Sequence, residues 1–101
     1  MWSMKRADAI SALQARAAAL KSRGATSLFL YGSTARDSAR RDSDIDLFVD
    51  YDPQSRFSLL NLAGIKNLLE DELGIAVDIT TRDSLHPALR ADIERQAERV
   101  F

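Results

Sequence analysis

The chain contains no cysteine among its 101 residues. That excludes a disulfide framework and a cysteine-built zinc centre, and it fits a reducing, cytoplasmic setting. No apolar run approaches the length of a membrane span, and the N-terminus lacks the apolar core of a secretory signal. The expectation is a soluble intracellular protein without membrane association. Charge of one sign is also missing: 14 Lys and Arg stand against 15 Asp and Glu, for a net charge of −1 and a pI near 5.7. Surfaces that bind nucleic acid generally are basic, so this balance argues against direct nucleic-acid binding. There is no internal repeat, linker or low-complexity stretch. A chain of this length is expected to form one domain, residues 1–101, with a core of modest size.

What is present is a regular alternation of apolar patterns. Residues 4–22 read as a helix with Ile10, Leu13, Ala17 and Leu20 on one face and Gly24 placed to end it. Residues 27–31 form a short apolar strand, and 33–38 begin a short helix with Ser33 near its start. Residues 44–51 alternate, with Ile45, Leu47 and Val49 facing one way and Asp44, Asp46, Phe48 and Asp50 the other. Asp52 and Pro53 stop that strand. Residues 57–73 form a helix whose buried stripe is Leu59, Leu62, Ile65 or Lys66, Leu69 and Leu73, and Gly74 closes it. Residues 75–80 form a strand with Asp78 on the face opposite Ile75, Val77 and Ile79. Residues 85–99 form a last helix, capped by Asp83 and Ser84, with Pro87 in its first turn and Leu89, Ile93, Ala97 and Val100 on its apolar side. The order is α-β-α-β-α-β-α.

The chemistry concentrates in residues 32–46. Gly32-Ser33-Thr34-Ala35-Arg36 follows an apolar strand, and after a basic turn Ser43-Asp44-Ile45-Asp46 opens the next one. Residues two apart on a strand share a face, so Asp44 and Asp46 should stand side by side. Two close carboxylates stay ionised only with a cation between them, and hard oxygen ligands with room for phosphate suit Mg²⁺. A Gly-Ser turn offers backbone N–H groups and a hydroxyl to an anion. If the strands of Asp46 and Asp78 are neighbours, all three aspartates converge on one open face of the sheet. Phosphate grip and metal grip together point to phosphoryl or nucleotidyl transfer.

Gly32-Ser33, Asp44-Ile45-Asp46 and the later Asp78 resemble the motifs of the nucleotidyltransferase superfamily that includes DNA polymerase beta. The longer string through Ala39-Arg40 and Asp46-Leu47 resembles one branch more closely. That branch is the minimal nucleotidyltransferases (MNT), many of them antitoxins paired with a HEPN-domain toxin. The resemblance implies an α/β (α+β) polymerase-beta-like palm: a small mixed sheet with helices on one face. It implies that Asp44 and Asp46 hold two Mg²⁺ ions and that Asp78, also at the metals, activates the attacking hydroxyl. Gly32 and Ser33 would bind the phosphates of ATP, and Arg36 and Arg40 would clamp its terminal oxygens. The reaction implied is transfer of AMP from ATP to a tyrosine hydroxyl of a cognate HEPN RNase, releasing pyrophosphate. One departure stands out: members often carry glycine after the Ala-Arg pair, where this chain has Asp37. It keeps open an alternative in which the chain neutralises its toxin by binding alone.

Other residues read as structural. Asp50 is expected at an exposed strand end, Asp52 in turn chemistry and Arg41 as a solvated loop charge. His86, the only histidine, belongs to a helix first turn, and Tyr31 and Phe48 to packing.

Overall fold

The computed structural model describes residues 5–35 and 44–101, with Ser33 and Thr34 described by backbone alone. Trp2, Arg36, Asp37, Arg40 and Arg41 lie outside the described residues, as does the end of the helix expected over 33–38. The elements are α1 (Arg6–Gln14), α2 (Ala17–Ser22), β1 (Ala25–Tyr31), α3 (Gly32–Ala35), β2 (Ile45–Tyr51), α4 (Leu59–Leu73), β3 (Val77–Thr81), a 3-10 turn (Arg82–Ser84), α5 (Pro87–Gln96) and β4 (Glu98–Arg99). The sheet order is β3-β2-β1-β4. β1 runs antiparallel to β2 and to β4, while β2 and β3 are parallel. The sheet is therefore mixed, as the resemblance implied.

The core lies on one face of the sheet. Leu28 and Leu30 from β1, Ile45, Leu47 and Val49 from β2, and Val77 from β3 meet Ala9 and Leu13 of α1, Leu20 of α2, and Ile65 and Leu69 of α4. Each Leu, Ile or Val among them contributes about 1.5–3 kcal/mol by leaving water. The period-two alternation thus commits the opposite face of β2 and β3 to Asp46, Phe48, Asp50 and Asp78.

Beyond shifts of one or two residues at several element ends, such as β3 at Val77–Thr81 instead of 75–80, three features differ from the sequence reading. The first helix breaks at Ala15 and Arg16, where Arg16 N–H turns to the Leu13 carbonyl at 3.0 Å. The Ala12 carbonyl, which an unbroken helix would satisfy with that N–H, accepts from the Arg16 guanidinium at 2.6 Å instead. The same guanidinium donates to Glu72 of α4 at 3.0 Å, so a tertiary contact re-routes the turn. Second, Leu59 does not join the buried stripe of α4 but is 82% exposed, and at the next ambiguity Ile65 rather than Lys66 is buried. The helix start is fixed by Asn61, whose side chain accepts from Ser58 N–H and donates to the Arg23 carbonyl, both at 3.1 Å. Third, the last helix ends at Gln96, and residues 98–99 pair with β1. Val100 is buried through that strand end, its N–H donating to the Leu28 carbonyl at 2.8 Å. The cap of α5 is His86 rather than Asp83 and Ser84: its Nδ1 accepts from Ala88 N–H at 3.1 Å, with Pro87 at the first helical position.

Candidate active site

β1, β2 and β3 place Tyr31, Asp46 and Asp78 in one row: Tyr31 is the register partner of Asp46, and Asp46 that of Asp78. The row lies on the face turned away from Ile45, Leu47 and Val49. Adjacent strands lie about 4.8 Å apart, so Asp46 and Asp78 present like charges from directly opposite positions. Such a pair is unfavourable unless a cation or proton offsets it. Two interactions hold the start of β3 in this register. Val77 N–H donates to Glu70 of α4 at 2.9 Å, and Ile45 N–H donates to the Ala76 carbonyl at 3.0 Å. Asp44 is exposed and directly precedes β2. Among the described residues no three acidic, histidine or cysteine side chains are gathered closely enough to hold a metal. The rung of Asp46 and Asp78 is thus the part of the expected triad that the strand register joins.

Gly32 follows β1 with φ +75°, a conformation that side chains other than glycine's resist. A Cβ there would fall inside the Asp46 carboxylate, 3.1 Å from Cγ and closer still to Oδ2. The missing side chain is what lets the turn close onto the aspartate. Ser33 continues that turn in the short α3, and Arg36 and Arg40 lie outside the described residues. The donor chemistry fits Mg²⁺: two carboxylates, hard oxygen ligands, stand on adjacent strands beside a backbone turn with no Cβ.

The Tyr31 phenol is pushed above its ordinary value, first by partial burial and then by the negative charge of Asp46 and Asp78. It therefore stays neutral in the physiological range. The row below joins Phe29 to Phe48 and Phe48 to Thr80. The two phenyl rings stack at 4.8 Å, and Tyr31 tilts against Phe48 at 5.8 Å. Phe48 is only 1% exposed although it stands on the polar face. Its cover includes Arg82, whose guanidinium lies 4.7 Å from the Phe29 ring and 5.0 Å from the Phe48 ring. Phe48 is a packing group, as the sequence suggested, and Tyr31 is half-buried against it.

Asp50 is not a lone strand-end charge. It accepts from Arg82 Nε at 2.8 Å and Nη2 at 3.0 Å, while Arg82 Nη1 donates to Glu94 of α5 at 2.7 Å. Arg82 belongs to none of the sequence motifs above. The available signal was parity: Asp50 and residue 82 each lie four positions beyond an aspartate of the Asp46 and Asp78 rung. The more voluminous clefts lie elsewhere. One of about 410 Å³, lined by Tyr51, Phe57, Leu59, Leu62, Thr81 and Asp83 among others, sits at the opposite ends of β2 and β3 from the aspartate rung.

A small mixed sheet with a glycine turn closing onto Asp46, the register partner of Asp78, is the arrangement of a nucleotidyltransferase. The chain belongs to the nucleotidyltransferase domain family, whose profile matches residues 14–100. A chain of Methanocaldococcus jannaschii that bears the provisional name protein adenylyltransferase is 42% identical over 69 residues, 67% of this chain and 68% of the relative. A solved structure that bears the provisional description minimal nucleotidyltransferase is similar at 39% identity and TM-score 0.70, covering 88% of this chain and 93% of its own. A complex described as a tri-AMPylated Shewanella oneidensis HEPN toxin with its MNT antitoxin shares the fold at 16% identity and TM-score 0.65, covering 91% and 71%.

Proposed function

We propose that this chain, as a single domain, is an antitoxin that moves AMP from ATP to a tyrosine hydroxyl of a cognate HEPN-domain RNase toxin. The reading assigns Asp44 and Asp46 to hold Mg²⁺, with Asp78 at the same centre on the acceptor side. Gly32 and Ser33 grip the phosphates, and Arg36 and Arg40 clamp the terminal ones. Bound Mg²⁺ would neutralise triphosphate charge and favour departure of pyrophosphate. The acceptor oxygen forms a bond to the α-phosphorus as the bond between that phosphorus and the leaving pyrophosphate oxygen breaks. Asp78 takes the acceptor's proton. The Gly32 backbone admits the phosphates to the Asp46 carboxylate, because no Cβ intervenes.

The observation that carries this reading is the register pairing of Asp46 with Asp78 beside Gly32. Support for the acceptor comes from the relative named an adenylyltransferase and from the fold shared with the antitoxin of an AMPylated HEPN toxin. The cytoplasm is where ATP and such a toxin would both be met. The test is the intact mass of the HEPN partner after incubation with this protein, ATP and Mg²⁺, beside an Asp78→Ala variant. The wild type should add AMP to a tyrosine, and the variant should bind the partner without modifying it. An unchanged partner mass with the RNase still silenced would replace this reading with neutralisation by binding alone.

A further inference from the structure

We infer that Arg82 is a positioning residue for nucleotidyl transfer, holding the Asp78 strand and α5 in the arrangement the acceptor side of the site requires. Three independent features meet at this one side chain.

The first is register. Asp46 and Asp78 are partners, as are Phe48 and Thr80; continuing the ladder brings Asp50 level with Arg82. Four residues keep the parity of the strand, so the Arg82 and Asp50 pair shares the face of the Asp46 and Asp78 rung, two rows away. On the upper row like charges push β2 and β3 apart. On the lower row a two-pronged guanidinium–carboxylate pair, 2.8 and 3.0 Å, draws them together. β3 is an edge strand of the sheet, so its attachment depends on β2, on α4 and on this pair.

The second is packing. The guanidinium carbon stands 4.7 and 5.0 Å from the ring centres of Phe29 and Phe48. A planar cation on stacked rings is fixed in direction, which a lysine ammonium would not be. The third is reach. The remaining Nη1 holds Glu94 at 2.7 Å, which ties α5 to the same face of the sheet. Arg82 itself touches neither Asp46 nor Gly32 by any of these contacts, so its action runs through β3 and α5.

The nucleotide side rests on the central strands β1 and β2, which lead into Gly32 and carry Asp46. The acceptor side rests on β3. Loosening Arg82 should therefore slow transfer and leave nucleotide affinity alone. This part of the inference rests on the proposed role of Asp78. The variants are Arg82→Lys, Arg82→Met, Asp50→Asn and the double Arg82→Lys/Asp50→Asn, all in the full chain. Three measurements are made: amide hydrogen exchange, calorimetric affinity for AMP-PNP with Mg²⁺, and kcat and KM for AMP transfer to the HEPN partner. Both Arg82 variants should speed exchange across Val77–Thr81 and α5 while leaving α1 and α2 unchanged. They should lower kcat about ten- to a hundredfold, the scale of a misplacement near 1 Å, with KM for ATP and AMP-PNP affinity within about twofold. The double variant should be no worse than its worse single parent, because the two side chains act as one unit.

Wild-type kcat in Arg82→Met overturns the inference, as does a loss of kcat that merely tracks the unfolded fraction. A weakened nucleotide affinity with kcat intact overturns it too, since Arg82 would then be contacting the nucleotide. If the wild type transfers nothing to the HEPN protein, the acceptor reading fails by itself. Exchange and AMP-PNP affinity then decide the inference: faster exchange confined to β3 and α5 with unchanged affinity upholds it, and any other pattern overturns it.

Discussion

Replacing Gly32 by alanine separates two effects that glycine serves at once. Gly32 and Gly74 have nearly the same backbone, with φ +75° and +68°. Forcing a side chain into that region costs about 1–2 kcal/mol at either position. For a domain of this size that corresponds to a fall in Tm of roughly 5–10 °C. Their surroundings differ. A Cβ at Gly74 meets nothing within 4 Å, whereas one at Gly32 lies 3.1 Å from Asp46 Cγ. Carbon contacts settle at about 3.5–4.0 Å, so the Asp46 carboxylate must retreat by roughly 0.5–1 Å. Displacements of that order cost about a hundredfold in a positioned reaction. Gly74→Ala should thus lose stability alone. Gly32→Ala should lose comparable stability and, in addition, Mg²⁺-dependent AMP-PNP affinity and most AMP transfer, and Gly32→Val should be worse. Thermal melts and calorimetry on the two alanine variants make the comparison. Equal nucleotide affinity in Gly32→Ala and Gly74→Ala would refute the argument that glycine clears space for Asp46.

Asp44→Asn and Asp46→Asn should each weaken ATP binding, and EDTA should weaken it in the wild type, since unneutralised carboxylates repel a triphosphate; calorimetry showing metal-independent affinity would contradict the assignment. Asp83 is held below the ordinary aspartate range, chiefly by the Thr81 hydroxyl and next by the Tyr51 phenol, at 2.6 and 2.8 Å. A depressed folded value means its contribution is complete above about pH 4 and fades as pH falls through the folded value. The acid limb of a stability-against-pH curve should accordingly be shallower in Asp83→Asn. Leu69 is fully buried in the core, and Leu69→Ala should destabilise by about 2–5 kcal/mol in denaturant titration.

The strands β1, β2 and β3 were legible, unlike the two-residue β4, because period-two alternation and burial have the same cause. A strand with one face in the core must sort Ile45, Leu47 and Val49 from Asp46 and Asp50. The helices were less legible. Leu59 fits the α4 stripe by spacing yet is 82% exposed, because spacing does not say where the covering sheet ends. The break at Ala15 and Arg16 depends on the Arg16 contact with Glu72, 56 residues away in sequence. No local propensity carries that information.

The sequence by itself determined the alternation of strands and helices, the face on which each aspartate lies, and the glycine at the turn, since these follow from spacing and from the chemistry of single residues. Which aspartates stand together was decided by tertiary structure: the parallel register of β2 with β3 makes Asp46 the partner of Asp78. The same register brings Arg82 to Asp50, and α5 then brings Glu94 to Arg82. Charges far apart along a chain acquire partners only when the elements that carry them are brought together, and that placement is a property of the assembled fold.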